Sequence, residues 1–404
     1  MAIEIGICAS VDELAGAFTP ISHYFGGPPS AEEAERFARI FDYRRTWRAK
    51  ENGAVVGAAG SHAFELTVPG GAVPAAGVTI VGVLPTHRRR GILRSMMRAQ
   101  LDRVHEEAEP VAFLWASEET IYGRFGYGIA SYCGEIELPK SATGFVTSFE
   151  PRGRARLLDE ASALEPISAL YERVRLDYPG MYTRSEAWWK ERRLADPENR
   201  RHGGGVLNRV VLSVEGRVEA YALYRVHQAF EPGGTSGHIN VIEAVGATPE
   251  ATREIWRFLF DVDWVARIKA SLLPVDHPLL TLVARTRQLK FRIGDALWVR
   301  LVDLPRALAA RAWGKGEPVV FEVSDDFGPW NAGRDRVSSD GVERTTAAAE
   351  IGLSVNALGS AYLGGVSFSR MARAGAVEEM REGAARRADA LFRFDPAPWC
   401  PEIF

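Results

Sequence analysis

Residues 81–94 form the most informative stretch of the chain, and they read Val81-Gly82-Val83-Leu84-Pro85-Thr86-His87-Arg88-Arg89-Arg90-Gly91-Ile92-Leu93-Arg94. The β-branched run Gly77–Leu84 predicts a strand that stops at Pro85. After the loop, apolar residues recur at the spacing of one helix face, at Leu93, Met96, Met97, Leu101 and Val104. The sequence therefore predicts a strand, a tight basic loop and an amphipathic helix in succession.

This loop has the composition of an anion-binding turn. The first N–H groups of a helix have no partner inside the helix, and they lie at the positive end of the helix dipole. Gly91 lets a ligand approach the backbone closely, and the arginines add positive charge. We therefore predict a cradle for a pyrophosphate. The alternative is a solvated basic turn, which the position between a strand and a helix disfavours.

Composition and charge limit the class of protein. The chain has 404 residues, 46% of them apolar and 25% charged, which is typical of two or three globular domains. Its net charge of −3 gives no electrostatic case for binding nucleic acid. The three cysteines are too few and too scattered for a disulfide framework or a zinc site. The sequence contains neither a long apolar run nor a basic signal segment, so we expect no membrane span and a cytoplasmic location.

The first 150 residues alternate apolar runs with helical patterns, which predicts a mixed α/β domain. Asn52-Gly53 tolerates positive φ, so a hairpin is expected between two strands there. The pattern Ile129–Leu138 predicts a last strand of this domain, and Pro151-Arg152-Gly153 marks its boundary.

Two further segments follow, at residues 151–295 and 296–404. In the middle segment a strand over His238–Val245 leads into a helix that Thr248-Pro249 starts, which repeats the strand, turn and helix of the first segment. In the last segment we expect a helix over Val377–Leu391. The chain ends in a proline-rich tail whose terminal residue is Phe404.

Residues 88–93 resemble the Arg/Gln-x-x-Gly-x-Gly/Ala motif of the Gcn5-related N-acetyltransferases, although Leu93 stands where Gly or Ala is usual. Together with Ala116-Ser117-Glu118 and the run from Ile121 to Gly128, the longer string Pro85–Leu93 resembles the Eis aminoglycoside acetyltransferases of actinobacteria, in which that leucine is normal. Further matches occur at 221–226, 295–298 and 347–351, so the resemblance spans nearly the whole chain. It implies two tandem acetyltransferase-like domains followed by a domain like a sterol carrier protein.

The resemblance also assigns the contacts to acetyl-CoA. Val81, Gly82 and Val83 would pair with the pantetheine arm as an added strand does. The residues that would hold the pyrophosphate are Arg89, Arg90, Gly91, Ile92, Leu93 and Arg94. Ser117 and Glu118 would close the thioester end.

Two catalytic groups follow from the same resemblance. Tyr122 stands where the family has its general acid, which protonates the departing thiolate; otherwise it would be a packed aromatic residue. The family's general base is the C-terminal carboxylate, here that of Phe404. A free terminal carboxyl has a pKa of about 3.5, and burial would raise it. Glu118 and Glu402 are alternative bases. Of the two tyrosines in this run, we expect Tyr127, rather than Tyr122, to have a structural role. Ile403 stands where the family often has an acidic residue.

The function that this resemblance implies is acetyl-CoA-dependent N-acetylation of aminoglycosides, at several amines, in a ternary complex. Glu118, Glu402 and Asp42 are candidates for the acidic wall that a polycation prefers.

The middle domain, whose loop Gly246–Pro249 contains no arginine, would be degenerate. The family forms hexamers, as trimers of dimers. A protein lysine or a polyamine is an alternative acceptor, and a lipid-binding or signalling module with a relic domain is an alternative function. The histidines show no metal-ligand spacing, so no metal is expected.

Overall fold

The computed structural model describes residues 3–404. The strands are β1 Glu4–Ile7, β2 Thr46–Glu51, β3 Ala54–Val68, β4 Gly71–Val83, β5 Val111–Trp115, β6 Gly128–Ile129, β7 Tyr132–Pro139, β8 Arg154–Leu158, β9 Asn208–Val214, β10 Arg217–His227, β11 Phe230–Glu231, β12 Gly234–Thr235, β13 His238–Gly246, β14 Arg267–Pro274, β15 Arg292–Asp295, β16 Leu297–Leu301, β17 Val319–Ser324, β18 Gly333–Ser338, β19 Gly341–Arg344, β20 Ile351–Ser354 and β21 Val377–Glu379. The helices are α1 Val11–Ala17, α2 Thr19–Ser22, α3 Ala31–Ile40, α4 Ile92–Glu106, α5 Glu119–Tyr122, α6 Glu160–Arg175, α7 Glu186–Trp188, α8 Pro249–Asp261, α9 Leu279–Leu282, α10 Leu304–Ala309, α11 Val355–Ala361, α12 Phe368–Arg373 and α13 Ala384–Phe392.

The chain divides into two compact units. Unit 1 contains residues 1–131, 296–398 and 403–404, and unit 2 contains residues 132–295 and 399–402. Unit 1 holds a seven-stranded sheet in the order β1-β2-β3-β4-β5-β16-β6 and a five-stranded sheet in the order β19-β18-β17-β20-β21. Unit 2 holds a seven-stranded sheet in the order β15-β7-β14-β13-β10-β9-β8. The predicted mixed α/β class is confirmed.

The two seven-stranded sheets have the same plan. In each, four antiparallel strands are followed by a strand that pairs in parallel, β4 with β5 and β13 with β14. A helix connects each parallel pair, α4 in the first case and α8 in the second. The internal repeat of strand, turn and helix that the sequence predicts is therefore present.

The strands do not follow the predicted segment limits. Strand β16, at residues 297–301, lies between β5 and β6 in the first sheet, while β7, at residues 132–139, lies in the sheet of unit 2. The expected last strand of the first domain, Ile129–Leu138, is thus two strands in different sheets. Alternation of apolar residues identifies a strand but carries no information about its partner.

The apolar face of α4 packs as its sequence predicts. Met96, Met97, Leu101 and Val104 are buried and Leu93 is partly buried. Met97, Leu101 and Val104 pack with buried residues of β4 and β5, and Met96 packs with buried residues of β2 and β3. This helix fixes the loop before it to the first sheet. Within residues 3–404, no helix combines the length and apolarity needed to cross a bilayer.

One predicted helix, Val377–Leu391, is confirmed only over its second half. Val377–Glu379 is a strand paired with β20, and the helix begins only at Ala384. Gly383 precedes it with φ of 82°, a conformation that ends the preceding segment and that glycine adopts at low cost.

Candidate active site

A split between β4 and β5 creates the candidate site. The two strands pair from Ala75–Val111 to Gly77–Phe113, and no pair beyond that point is formed in the described chain. β4 continues to Val83 on the other side of a bulge, where Ile80 has φ of 49° and the register with β3 shifts. Because β5 no longer covers it, the backbone edge of β4 near Val81 and Val83 is available to an extended ligand.

The loop that follows β4 ends at an open helix N-terminus. Arg89 and Gly91 both have positive φ, 61° and 79° respectively, and Gly91 is the N-cap of α4. Because glycine has no side chain, no side chain caps the N-terminus of α4. The first amides of this 15-residue helix are therefore directed outward with no intrahelical acceptor, at the positive end of its dipole. This geometry suits a phosphate group.

The split strands and the loop enclose a cavity of about 730 Å³. All predicted cofactor residues except Arg90 line it, namely Val81, Gly82, Val83, Arg89, Gly91, Ile92, Leu93, Arg94, Ser117 and Glu118. Tyr122, the predicted acid, lines the same cavity.

Arg90 makes a different contact. Its guanidinium pairs with Glu51 at the end of β2, with Nη2 2.5 Å from Oε1, and His87 Nε2 lies 2.9 Å from the other carboxylate oxygen. The hydrogen bond from Arg90 lowers the pKa of Glu51 to about 2, with a smaller contribution from His87. The side chain of Arg90 thus fastens the loop to β2, and Arg89 and Arg94 remain for the cavity.

Several lining residues are not among the predicted cofactor contacts, although His87 and Arg88 belong to the predicted basic loop. They are Ile21, Tyr24, Phe25, His87, Arg88, Ile121, Arg124 and Phe125. Tyr24 and Phe25 follow α2, and Tyr24 lies 59 residues before Val83 at the end of β4. Only the adjacent pair Gly26-Gly27 in the sequence indicates a sharp turn near them. Arg88 and Arg124 add positive charge to the cavity wall.

Tyr122 ends the short helix α5 and is 5% exposed. Burial raises the pKa of its phenol to about 12, so the phenol is protonated at neutral pH. Its ring lies edge-on to that of Tyr127, with centroids 5.9 Å apart. Asn356 of α11 holds the intervening turn, because its Nδ2 donates to the carbonyl oxygens of Gly123 at 2.6 Å and Tyr127 at 2.9 Å.

Tyr127 is buried more deeply than Tyr122. It is 1% exposed, and within residues 3–404 its hydroxyl has no hydrogen-bond partner. Burial raises the pKa of Tyr127 well above its usual value. A phenol that contacts neither solvent nor the cavity is a packing residue.

Phe404 lies across β4 close to the point where β4 and β5 separate. Its ring contacts Phe64 and Phe113, with centroid distances of 5.4 and 5.0 Å. Thr79 Oγ1 donates to the terminal oxygen of Phe404 at 3.3 Å. A Cβ at Gly77 would lie 3.1 Å from this ring, so a glycine there leaves room for the terminal residue. The terminal carboxylate is therefore in unit 1, two residues along β4 from Val81.

The three acidic candidates have different surroundings. Glu118 lines the cavity and accepts a hydrogen bond from Thr120. Asp42 is exposed and pairs with Arg44 at 2.9 Å, outside the cavity lining.

Glu402 is buried within unit 2. It accepts from Trp188 Nε1 at 3.0 Å and pairs with Arg184 Nε at 2.9 Å and Arg192 Nε at 3.2 Å. Burial by itself would raise its pKa, but the guanidinium groups of Arg184 and Arg193 outweigh that effect and lower it. A carboxylate engaged by several arginines is a weak base and attracts a polycation poorly.

The corresponding turn in unit 2 is closed. Thr248 Oγ1 accepts from the amide of Ala251 at 3.1 Å, and Pro249 occupies the first helical position. A Cβ at Gly246 would lie 2.6 Å from the backbone nitrogen of Thr252, so strand and helix are in close contact here. This turn offers a phosphate fewer amides than the turn at Gly91.

Within residues 3–404, no three His, Cys, Asp or Glu side chains are grouped to hold a metal ion.

Comparisons with known proteins agree with this architecture. Models of the acetyltransferase (GNAT) domain match residues 9–130 and 180–301, and a sterol carrier protein domain matches residues 304–401. The chain is 44% identical to an uncharacterized N-acetyltransferase of Streptomyces coelicolor over 94% of both chains. It is 36% identical to the N-acetyltransferase Eis of Mycobacterium tuberculosis over 84% of both. The crystal structure of Eis1 from Mycobacterium abscessus superposes with a TM-score of 0.87, at 37% identity, over 99% of this chain and all of that one.

Proposed function

Since the chain belongs to the Eis group of GCN5-related N-acetyltransferases, we propose that it transfers the acetyl group of acetyl-CoA to amines of aminoglycosides. The observation that carries this proposal is the cavity between the split strands, which combines an open strand edge, a bare helix N-terminus and a protonated phenol.

The parts of acetyl-CoA match the walls of this cavity. The amides of the pantetheine arm suit the backbone groups of Val81 and Val83, which the separation of β5 leaves accessible. The pyrophosphate suits the first amides of α4, with Arg89 and Arg94 supplying positive charge. Arg90, which is paired with Glu51, would act indirectly by holding the loop.

The proposed chemistry needs a base and an acid. The acceptor ammonium loses a proton to the carboxylate of Phe404, and the free amine attacks the thioester carbonyl. A C–N bond forms, the C–S bond breaks, and the leaving thiolate takes the proton of Tyr122. Because burial raises the pKa of Tyr122 to about 12, this proton is available throughout the physiological range. The attacking nitrogen releases its second proton as the amide forms, and that proton restores the phenol of Tyr122.

The acceptor class rests on the motif resemblance. Of the three acidic candidates, only Glu118 lines the cavity, so a polycation would find its negative charge there or at the terminal carboxylate. Acetylation of several amines of one molecule is part of the proposal. A polyamine or a protein lysine would react by the same chemistry, and the acceptor assay below separates these cases.

We propose one cofactor site per chain. Residues 1–150 would form the catalytic domain, except that β7 joins the sheet of unit 2 and β16 completes the first sheet. Residues 151–295 would form a degenerate domain whose turn Thr248 closes, and residues 296–404 a domain that delivers Phe404 to β4. A cytoplasmic hexamer, arranged as a trimer of dimers, follows from the family resemblance, and light scattering of the purified protein measures its mass.

Release of free thiol from acetyl-CoA tests the function. We expect release with tobramycin or kanamycin, and a mass increase of more than one acetyl group on the product. Spermidine and a lysine peptide are the comparison acceptors, and Tyr122→Phe is the matched inactive variant. Activity on the peptide alone would contradict the aminoglycoside assignment. Binding of CoA without thiol release for any amine would favour the lipid-binding or signalling module.

A further inference from the structure

We propose that Tyr24 occupies the backbone acceptor on β4 that the pantetheine arm uses, so that the arm must displace the Tyr24 hydroxyl to bind. Tyr24 Oη donates to the carbonyl oxygen of Val83 at 2.8 Å. The inference rests on the proposed cofactor site, and it makes Tyr24 a residue that sets the affinity for the arm of the cofactor.

The direction of the Val83 carbonyl is fixed by the register of β4. The amide of Leu84 donates to Val56 of β3 at 2.9 Å, and Gly57 lies opposite Val83. In an antiparallel pair, neighbouring residues direct their backbone groups to opposite edges. Val83 therefore directs its carbonyl away from β3, toward the side from which β5 has separated. The acceptor that Tyr24 holds is on the edge available to an extended ligand.

Close packing of α2 on β4 puts Tyr24 in this position. A Cβ at Gly82 would lie 3.1 Å from the nitrogen and 3.2 Å from the Cα of Ile21, so glycine allows the end of α2 to contact the strand. The chain then turns, with the amide of Tyr24 donating to the carbonyl of Ile21 at 2.9 Å. The phenol reaches the cavity from a fixed support.

The backbone around Tyr24 is held by hydrogen bonds from the amides of Tyr24, Phe25 and Gly27 to α2, so displacement requires movement of the exposed phenol rather than of the segment. Tyr24 is 48% exposed and Phe25 is 69% exposed, and both line the cavity. Gly26 and Gly27 follow with φ of 88° and 140°, values that glycine adopts and leaves at low cost. Displacement of the phenol therefore costs mainly its exposed hydrogen bond to Val83 and its edge-on contact with the His23 ring.

The loss of that hydrogen bond has a measurable effect. A hydrogen bond of this kind contributes about 0.5–1.5 kcal/mol, so Tyr24→Phe should bind CoA about two- to tenfold more tightly than the unmodified protein. Adenosine 3′,5′-bisphosphate contains no pantetheine arm, so its Kd should not change. Isothermal titration of both ligands gives these values, and Tyr43→Phe, which lies outside the cavity lining, is the matched control.

The outcomes separate this inference from the proposed function. Tighter binding of CoA alone, in Tyr24→Phe alone, supports displacement. An unchanged or weaker Kd for CoA overturns it, because Tyr24 then stays in place or contacts the ligand. Equal tightening of both ligands also overturns it, since the effect would not depend on the arm. Failure of the unmodified protein to bind CoA would instead refute the cofactor site, and this inference with it.

Discussion

At Tyr122, burial determines which proton-transfer role is available. The side chain is 5% exposed and its pKa is raised to about 12, so it is an acid that keeps its proton until a strong base develops beside it. We propose that it gives this proton to the sulfur as the C–S bond of the thioester breaks. The same burial makes Tyr122 unsuitable as the group that deprotonates the amine.

Replacement of Tyr122 by Phe should lower kcat by about 100-fold or more, which is the contribution typical of a general acid. The Kd for CoA should change little, because the phenyl ring still fills the site. Initial rates of thiol release and a CoA titration measure the two quantities. Tyr127→Phe is the matched control, since its buried hydroxyl has no partner in the described chain. Equal losses in both variants would show a packing effect.

Phe404 presents the last carboxylate of the chain at β4, where Thr79 donates to it. Addition of one glycine after Phe404 moves that carboxylate by up to about 3.5 Å. We expect turnover to be lost while CoA still binds, as measured by thiol release and titration. A glycine added before Met1 is the control. If the C-terminally extended protein keeps full activity, the terminal carboxylate is not the base.

Local chemistry predicts only part of the residue-level picture. The glycine and the arginines of the loop were recognisable because an open helix N-terminus needs them nearby in the sequence. Whether an arginine points into the cavity depends on distant partners. Arg90 faces Glu51, 39 residues earlier, and no spacing rule reveals that pair. Tyr24 enters the cavity for the same kind of reason, through packing of α2 on Gly82.

Helix α11, in the sterol-carrier-like segment, supports the turn that follows Tyr122. Asn356 donates to the carbonyls of Gly123 and Tyr127, which flank the end of α5. A Cβ at Gly128 would lie 2.0 Å from the carbonyl oxygen of Asn356, so the helix and β6 are in direct backbone contact. The position of Tyr122 therefore depends on an element more than 200 residues away.

Asn356→Ala should remove the donor to the Tyr127 carbonyl and one of the two donors to the Gly123 carbonyl, which also accepts from the amide of Gly126, and it should lower the free energy of unfolding by about 1–3 kcal/mol. It should also lower kcat, since the turn that carries Tyr122 loses its support. Thermal unfolding and thiol-release rates test both effects. Asn208→Ala is the matched control, because its amide also donates to two carbonyls but at 3.3 and 3.4 Å. Unchanged kcat in Asn356→Ala would contradict this account.

Elements with local signals were predictable. Asn52 and Gly53 have φ of 51° and 81° in the predicted hairpin, and Thr248 caps α8 as expected. Both depend on neighbours within a few residues. The helix predicted over residues 377–391 begins only at Ala384, because Val377–Glu379 pairs with β20 and this pairing overrides the helical pattern of the sequence there.

At the scale of the whole chain, the two seven-stranded sheets each contain a strand that no periodicity could assign. β16 enters the first sheet and β7 enters the sheet of unit 2. Long-range pairing of this kind is invisible in a single sequence. The three-segment organisation was nevertheless predictable, because the repeat of strand, turn and helix and the family motifs are local features.

Unit 2 should lose stability in acid through His277. Its Nδ1 accepts from the amide of Leu279 at 3.2 Å, and burial lowers the pKa of the imidazole to about 3. The unfolded chain, with an ordinary histidine pKa of about 6.5, binds one more proton than the folded chain between pH 6.5 and 3. The contribution of neutral His277 to the free energy of unfolding is therefore complete above pH 6.5, and it decreases as the pH falls from 6.5 to 3.

Urea unfolding at pH 7.5 and pH 5.5 measures this effect. The unmodified protein should lose about 1.4 kcal/mol more stability between the two pH values than His277→Asn, whose amide does not titrate. Titratable groups other than His277 contribute equally to the pH dependence of both proteins, so their contributions cancel in the difference. Equal losses would show that His277 is protonated, or exposed, in the folded state.

The most direct test of the whole account is a crystal structure of the protein with CoA. The account predicts the pyrophosphate within hydrogen-bonding distance of the amides of residues 91–94, the arm along Val81–Val83 and the sulfur beside Tyr122. CoA bound elsewhere, with the turn at Gly91 filled by the protein's own side chains, would contradict it.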